Sequence, residues 1–333
     1  MIRKERNLTL DIARAICIIL VVAGHYFPLD SPKWWKVVND FIFSFHMPLF
    51  LFLSGYVFML TWKKESFSDF YVKKIKRLFV PYLVVSILVT TLKLISQING
   101  LNVECKVDYF SFLKIFYEPA AAEYLWFIWV LMWLFLVTFF LKSRNSRLII
   151  FIFSLIIYFI PIQLPSVFCI NELPRRSVFF FLGILTFEYK GFMKYKDAFL
   201  WLGTILFIIL FILKEINSIS SLVMLMTLSV LGIICLLFLS EQILKLNIKS
   251  TFLFYIAEAS FSIYLLHSTF VGLLKVGFSK LENIININIF FSLKAFLIIT
   301  IATIIPLLFH FYIIKKYRIF SFLFGVKYIV RKK

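Results

Sequence analysis

A chain of 333 residues with 62% hydrophobic and 16% charged residues and a mean hydropathy of +0.95 is an integral membrane protein by composition. A soluble globular domain is excluded, because the longest stretch without a membrane-length apolar run, roughly 97–123, is only loop-sized. The formal net charge of +19 follows from basic loops beside anionic lipid, so nucleic acid is not an expected partner and membrane lipids are.

About twenty apolar residues cross the hydrocarbon core, and the sequence predicts ten such spans. They run over 8–27, 38–60, 78–96, 124–141, 147–164, 174–189, 197–213, 219–240, 252–274 and 287–313. Pro161, Pro165 and Pro174 bracket a tight reversal before the sixth, the shortest.

Lys and Arg fix an orientation, since cytoplasmic loops are enriched in both. Of the 36, 24 fall before Leu8, in 61–77, 142–147, 190–196 and 245–249, and after residue 314; nine fall in the alternate loops, and Arg14, Lys93 and Lys294 lie within spans. The expected fold is an all-α polytopic membrane protein, a bundle of about ten transmembrane helices with both termini cytoplasmic, forming a single integral-membrane domain over 1–333.

Arg3, Lys4 and Arg6 ahead of an apolar run resemble the start of a signal peptide. The run is longer than a signal core, however, and no small-x-small cleavage site follows, so its retention is expected. Cys17 and Cys235 fall within spans as packing residues, whereas Cys105 and Cys169 fall in outer loops where a disulfide is open. No metal site is expected.

The first span carries Arg14 and His25, a costly pair to place in lipid. Eleven steps of about 100° return to within about 20° of the starting direction while advancing about 16 Å, so both lie on one stripe. Asp11, three residues before Arg14, allows an ion pair on that face. Arg14 is either part of a site or an anchor reaching the inner headgroups.

His46 in the second span and His267 in the ninth share the expected depth of His25; His310 does not. Each histidine is either a packing hydrogen bond between helices or part of a site. Lys73, Lys76 and Arg77 recur at helical spacing just below the membrane, as a positive-inside anchor or a phosphate-binding stripe.

Ser54-Gly55 in the second span marks a close helix approach. Glu123 and Trp126 sit at an outer mouth, where Glu123 suits a polar acceptor. Arg175-Arg176 at another outer mouth point to an anionic ligand or a bound carboxylate, and Glu258 in the ninth span needs a partner.

The run Asp11-Ile-Ala-Arg14, ten residues and then His25 resembles the signature of membrane-bound acyltransferase family 3. The resemblance continues through Phe45-His46-Met47-Pro48-Leu49-Phe50 with Ser54-Gly55-Tyr56, Lys76-Arg77-Leu78 with Pro81-Tyr82, Leu125-Trp126-Phe127 and Tyr264-Leu265-Leu266-His267. The matches fall in order from the first span to the ninth. The Phe-His-Met-Pro-Leu-Phe form is most similar to the sugar O-acetyltransferase branch that includes fucose 4-O-acetylases.

That resemblance implies transfer of an acyl group, usually acetyl from acetyl-CoA as co-substrate with no permanently bound cofactor, to a hydroxyl of a surface glycan or its lipid-linked precursor. It implies a multi-pass protein of a bacterial plasma membrane, with His25 and Arg14 as the catalytic pair. Apart from the resemblance, a polyanionic cytoplasmic acyl-CoA suits Arg14, Lys73, Lys76 and Arg77 at the inner face as holders of its phosphates, and Asp11, His46, Ser54, Glu123, Trp126 and His267 are the residues expected to support the site or the acceptor. The hydrolase-like domain that some members carry is not in this sequence, so a separate polysaccharide-biosynthesis partner or a simpler acceptor is expected. His25 acts either as general base or as a nucleophile that is itself acylated. The competing expectation is a glycan or lipid-linked sugar transporter, for which ten spans and midplane polar residues would also serve.

Overall fold

A computed structural model describes residues 7–101, 103, 105–189, 196–218, 221–246, 251–285 and 290–328. The expectations for Arg3, Lys4, Arg6, Lys190, Lys194, Lys249, Arg331, Lys332 and Lys333 lie outside these residues. Among the described residues every regular element is a helix, and seven helical stretches are long and apolar enough to cross a bilayer. The protein is a multi-pass membrane protein.

Helices occupy all ten of the predicted spans, and three of them are short. The helices at 8–24, 144–159 and 173–188 have 17, 16 and 16 residues, about 24–26 Å at about 1.5 Å per residue, against a hydrocarbon core of about 30 Å. The chain divides into two compact units, residues 1–59 with 186–307 and residues 60–185 with 308–333.

In the first unit, α1 (Leu8–Gly24) starts at Asn7, whose side chain accepts from the Leu10 amide at 3.3 Å. The chain then reverses into α2 (Lys33–Phe43). Two side chains of α2 fix that reversal. Asn39 Nδ2 donates to the Gly24 carbonyl at 2.9 Å, and Trp35 Nε1 donates to the Tyr26 carbonyl at 2.8 Å.

After a break at Ser44 and Phe45, α3 (His46–Thr61) begins. The predicted second span is therefore two helices, for a reason carried by Pro48. Its missing N–H leaves the Ser44 carbonyl without the usual i→i−4 donor. Ser229 Oγ fills that place at 2.8 Å from α11 (Leu222–Lys245).

The same crossing needs Gly232, where a Cβ would overlap the Phe45 ring. Between helices in lipid, such close packing and hydrogen bonding do the work that hydrophobic burial does in water. α1 packs along α12 (Thr251–Ile285) and α11, and α11 packs on α10 (Lys196–Asn217). Trp201, Ile205, Ile208, Ile212 and Ile216 form an exposed apolar stripe on α10, a face made for lipid. The first unit closes with α13 (Phe291–Phe309), through Leu307.

In the second unit, α4 (Phe67–Lys74) runs through a π-helical turn (Ile75–Phe79) into α5 (Val80–Ile98). Pro81 in the first turn of α5 has no N–H to donate, and the Arg77 carbonyl lies one turn before it. Gly325, at φ +61, lies so close to that carbonyl that no side chain could stand there. The residue belongs to the turn after α14 (Arg318–Leu323), which packs on α5.

Between them come α6 (Ser111–Lys114), α7 (Trp126–Phe140) with a short 3-10 turn over Glu123–Leu125, α8 (Arg144–Phe159) and α9 (Leu173–Glu188). Tyr82 on α5 donates to the Ile115 carbonyl at 2.7 Å and stacks edge-on against Trp129 of α7. The connector before α9 holds Phe168 and Cys169 at φ 54 and 52, the left-handed region that costs a non-glycine residue about 1 kcal/mol or more. It is held there by Phe168 N–H to the Tyr117 carbonyl at 2.6 Å and by Trp133 Nε1 to the Phe168 carbonyl at 3.1 Å.

Candidate active site

His25 caps the C-terminal end of α1, its own N–H bonded to the Val21 carbonyl at 3.1 Å. The predicted first span ran to Phe27, but the helix stops at Gly24 because α2 holds the chain in its reversal. His25 thus stands at the edge of the helix end, half-buried, rather than inside a continuous span.

The packing of α1 on α12 brings His267 to it. The two imidazole centroids are 4.8 Å apart, edge to face at 64°. His46 joins through Phe43, whose ring lies 4.7 Å from His46 and 6.5 Å from His25. His46 and His267 are buried, at 2% and 0% exposure. Three of the four histidines therefore gather at one end of the first unit. His310, in a π-helical turn (His310–Ile314) of the second unit, is not one of them.

The hydrogen bonds of the two buried rings fix their tautomers. His46 Nδ1 lies 2.9 Å from the Ile42 carbonyl; His267 Nδ1 lies 2.7 Å from the Tyr264 and 3.2 Å from the Ile263 carbonyl. A carbonyl oxygen only accepts, so each Nδ1 carries the proton and each Nε2 is left as a hydrogen-bond acceptor. An acceptor nitrogen beside His25 can take a proton that His25 has taken from elsewhere.

About 16 Å along α1 from His25, Arg14 Nη1 lies 3.7 Å from Asp11 Oδ1, both side chains half-buried. The expected ion pair is therefore present. Ser54 lies eight residues beyond His46 on α3, about 12 Å along the axis and half-buried. Glu258 stands on an exposed part of α12.

The remaining predicted residues belong to the second unit. Lys73, Lys76 and Arg77 are exposed, and Lys73 is ion-paired with Glu65. They are not on one strict α-helical stripe, because the π turn inserts extra backbone between Lys73 and Arg77. Lys74, which the sequence reading passed over, turns inward with its Nζ 3.7 Å from the Phe135 ring centre and 5.2 Å from that of Phe70. The i,i+4 relation of Phe70 and Lys74 was the available signal.

Glu123 accepts from Cys105 Sγ at 3.3 Å, and Trp126 lies under the Arg176 guanidinium at 4.8 Å. Arg176 Nε donates to Glu172 at 3.1 Å, which supplies the bound carboxylate anticipated for that basic pair. Neither Cys105 nor Cys169 is in a disulfide. Burial, with Glu172 and Glu118 nearby, pushes the Cys169 thiol from its ordinary 9.0 up to about 12. Among the described residues no group of His, Cys, Asp and Glu could hold a metal ion.

A family model described as an acyltransferase domain, acyltransferase 3, matches residues 7–325. The nodulation protein NolL of Sinorhizobium fredii is 30% identical over 188 residues, 54% of this chain and 49% of that protein. NolL of Mesorhizobium japonicum is 34% identical over 95 residues, 27% of this chain and 25% of its own. The chain spans half or less of the length of these curated relatives. No solved structure matches. With nearly every described residue inside the matched range, the chain belongs to acyltransferase family 3.

Proposed function

We propose that this protein is an acyltransferase that moves an acyl group, acetyl in the simplest case, from cytoplasmic acyl-CoA to a hydroxyl of a surface glycan or its lipid-linked precursor. The bacterial plasma membrane, with the basic loops and both termini cytoplasmic, is the location that fits this reading. The observation that carries it is the facing of His25 and His267 at 4.8 Å.

In this reading His25 takes the proton of the acceptor hydroxyl as its oxygen attacks the thioester carbon. The new O–C bond forms, the C–S bond breaks, and coenzyme A leaves as the thiolate, which takes up the proton. His267 Nε2 receives a hydrogen bond from the charged His25 and steadies it, while His46, fixed by Ile42, orients the acceptor. General acid-base catalysis of this kind contributes about 10²–10⁴ in rate. Arg14 is the cation of the first unit offered to the coenzyme's phosphates. Asp11 directs Arg14 and lowers the cost of burying it. Ser54, on the same helix as His46, is a polar group offered to the acceptor.

Purified protein incubated with acetyl-CoA and candidate glycans should release free thiol only when an acceptor is present. His25→Ala should end that release with the fold unchanged. A stable radiolabelled acyl-protein in the wild type, lost in His25→Ala, would replace the general-base step with an acyl-histidine. Thiol release that persists at the wild-type rate in His25→Ala would overturn both.

A further inference from the structure

At the His25 end of the first unit, the reversal between α1 and α2 carries a compact set of aromatic rings. Trp34, Trp35 and Phe291 lie with mutual centroid separations of 5.5, 5.7 and 5.6 Å, and Tyr26, the residue after His25, lies 5.8 Å from Phe291 and 6.2 Å from Trp35. Trp35 and Tyr26 are buried, and the Trp35 indole N–H is spent on the Tyr26 carbonyl at 2.8 Å. Trp34 differs: it is 47% exposed and held only edge-on, at 82° to Trp35 and 87° to Phe291. About half of its ring is thus open while two perpendicular rings brace it.

Polar groups frame this ring set. Lys294, one turn after Phe291 on α13, is bonded to Glu282 of α12 at 2.9 and 3.0 Å, with both side chains largely buried. Asp30 is exposed, four residues before Trp34 in sequence. An interfacial aromatic belt would explain an exposed tryptophan alone. It does not explain a tryptophan braced by two rings and bordered by carboxylates and a lysine, beside the reacting imidazole.

We propose that Trp34, braced by Trp35 and Phe291 and bordered by Asp30, Glu282 and Lys294, is a subsite that stacks a neutral sugar ring of the acceptor. The proposal rests on the acceptor's being a glycan, as in the function proposed above. A pyranose offers one apolar C–H face to the indole and a rim of hydroxyls that both donate and accept. Carboxylates accept from such hydroxyls, and the ammonium donates to them. Because Asn39 and Trp35 pin α2 to the backbone on either side of His25, a ring on Trp34 is held in fixed relation to that imidazole.

The test uses full-length protein in detergent, acetyl-CoA and a neutral hexose oligosaccharide. Trp34→Leu keeps an apolar anchor and removes the flat ring. It should raise the oligosaccharide KM about tenfold, the order expected for loss of one stacked ring, with the acetyl-CoA KM and the melting temperature unchanged. Trp34→Phe should recover most of the loss. Titration of the same oligosaccharide, read by tryptophan fluorescence, should show saturable binding that weakens in Trp34→Leu, and this reading needs no turnover. Wild-type KM and wild-type binding in Trp34→Leu would overturn the subsite and leave Trp34 an interfacial anchor. Absence of thiol release from wild-type protein with every acceptor would instead count against the transfer reading, while the titration still decides the subsite. Binding that occurs only when the sugar is lipid-linked, and is unchanged in Trp34→Leu, would also overturn it, because the lipid would then be what is recognised.

Discussion

His25 and His267 face each other at 4.8 Å although they belong to the first and the ninth apolar stretches of the chain. His267 is held from behind by the Tyr264 carbonyl at 2.7 Å, so its Nε2 is the atom that can serve His25.

His267→Ala should lower the acyl-transfer rate by about 10²-fold, the lower range for acid-base assistance, and leave the acyl-CoA KM unchanged. If the two act as one unit, the double replacement of His25 and His267 should cost no more than His25→Ala alone. Thiol release followed by a colorimetric reagent measures both. Equal, independent losses would show that the rings work separately.

Arg14→Ala should raise the KM for acyl-CoA by about 10–100-fold, the worth of a hydrogen bond to a charged group, with a smaller change for the acceptor. Arg14→Lys should recover only part, because an ammonium lacks the guanidinium's forked donors. Asp11→Asn should act in the same direction as Arg14→Ala but more weakly, since it releases Arg14 without removing it. An unchanged acyl-CoA KM in Arg14→Ala would make this residue a topological anchor.

Ser229→Ala removes the donor that replaces the N–H absent at Pro48. Leaving the Ser44 carbonyl unsatisfied in the protein interior should cost about 1–3 kcal/mol. It should appear as a lower melting temperature in detergent, with some loss of activity because His46 starts two residues after Ser44. Gly232→Ala at the same crossing should cost about 1–3 kcal/mol through collision with Phe45.

Cys169 should resist alkylation at pH 8, where a thiol raised to about 12 holds almost no thiolate. Cys105, only partly buried, should react first, and mass spectrometry of the labelled peptides separates them. Because the folded thiol titrates above its ordinary 9.0, its contribution to stability is complete below pH 9 and is lost as pH climbs towards 12. Melting curves above pH 9 should therefore fall faster for the wild type than for Cys169→Ala.

Much of the fold follows from local chemistry. The apolar stretches are helical, seven of them among the described residues long enough to cross a bilayer, because hydrocarbon offers the backbone no partner other than itself. The Arg14, Asp11 and His25 relationship is set by the 3.6-residue period alone. The ordered motifs that resemble acyltransferase family 3 were legible for the same reason, being short runs on single helices. The broken second span was less so: Pro48 signalled it, but a proline in a membrane helix breaks, bends or is simply accommodated according to its neighbours, and here Ser229 decides.

What only the tertiary structure decided is which distant residues meet. No local rule pairs His25 with His267, places Phe43 between His25 and His46, turns Lys74 inward while Lys73 stays exposed, or braces Trp34 on Phe291. In a bilayer, lipid tails are as apolar as the side chains, so burial does not choose among helix pairings. Shape at positions such as Gly232 and hydrogen bonds such as Ser229 to Ser44 choose instead. The sequence by itself thus determined a membrane protein carrying an arginine and a histidine on one helical stripe. Helix packing then brought His267, and His46 by way of Phe43, to that histidine.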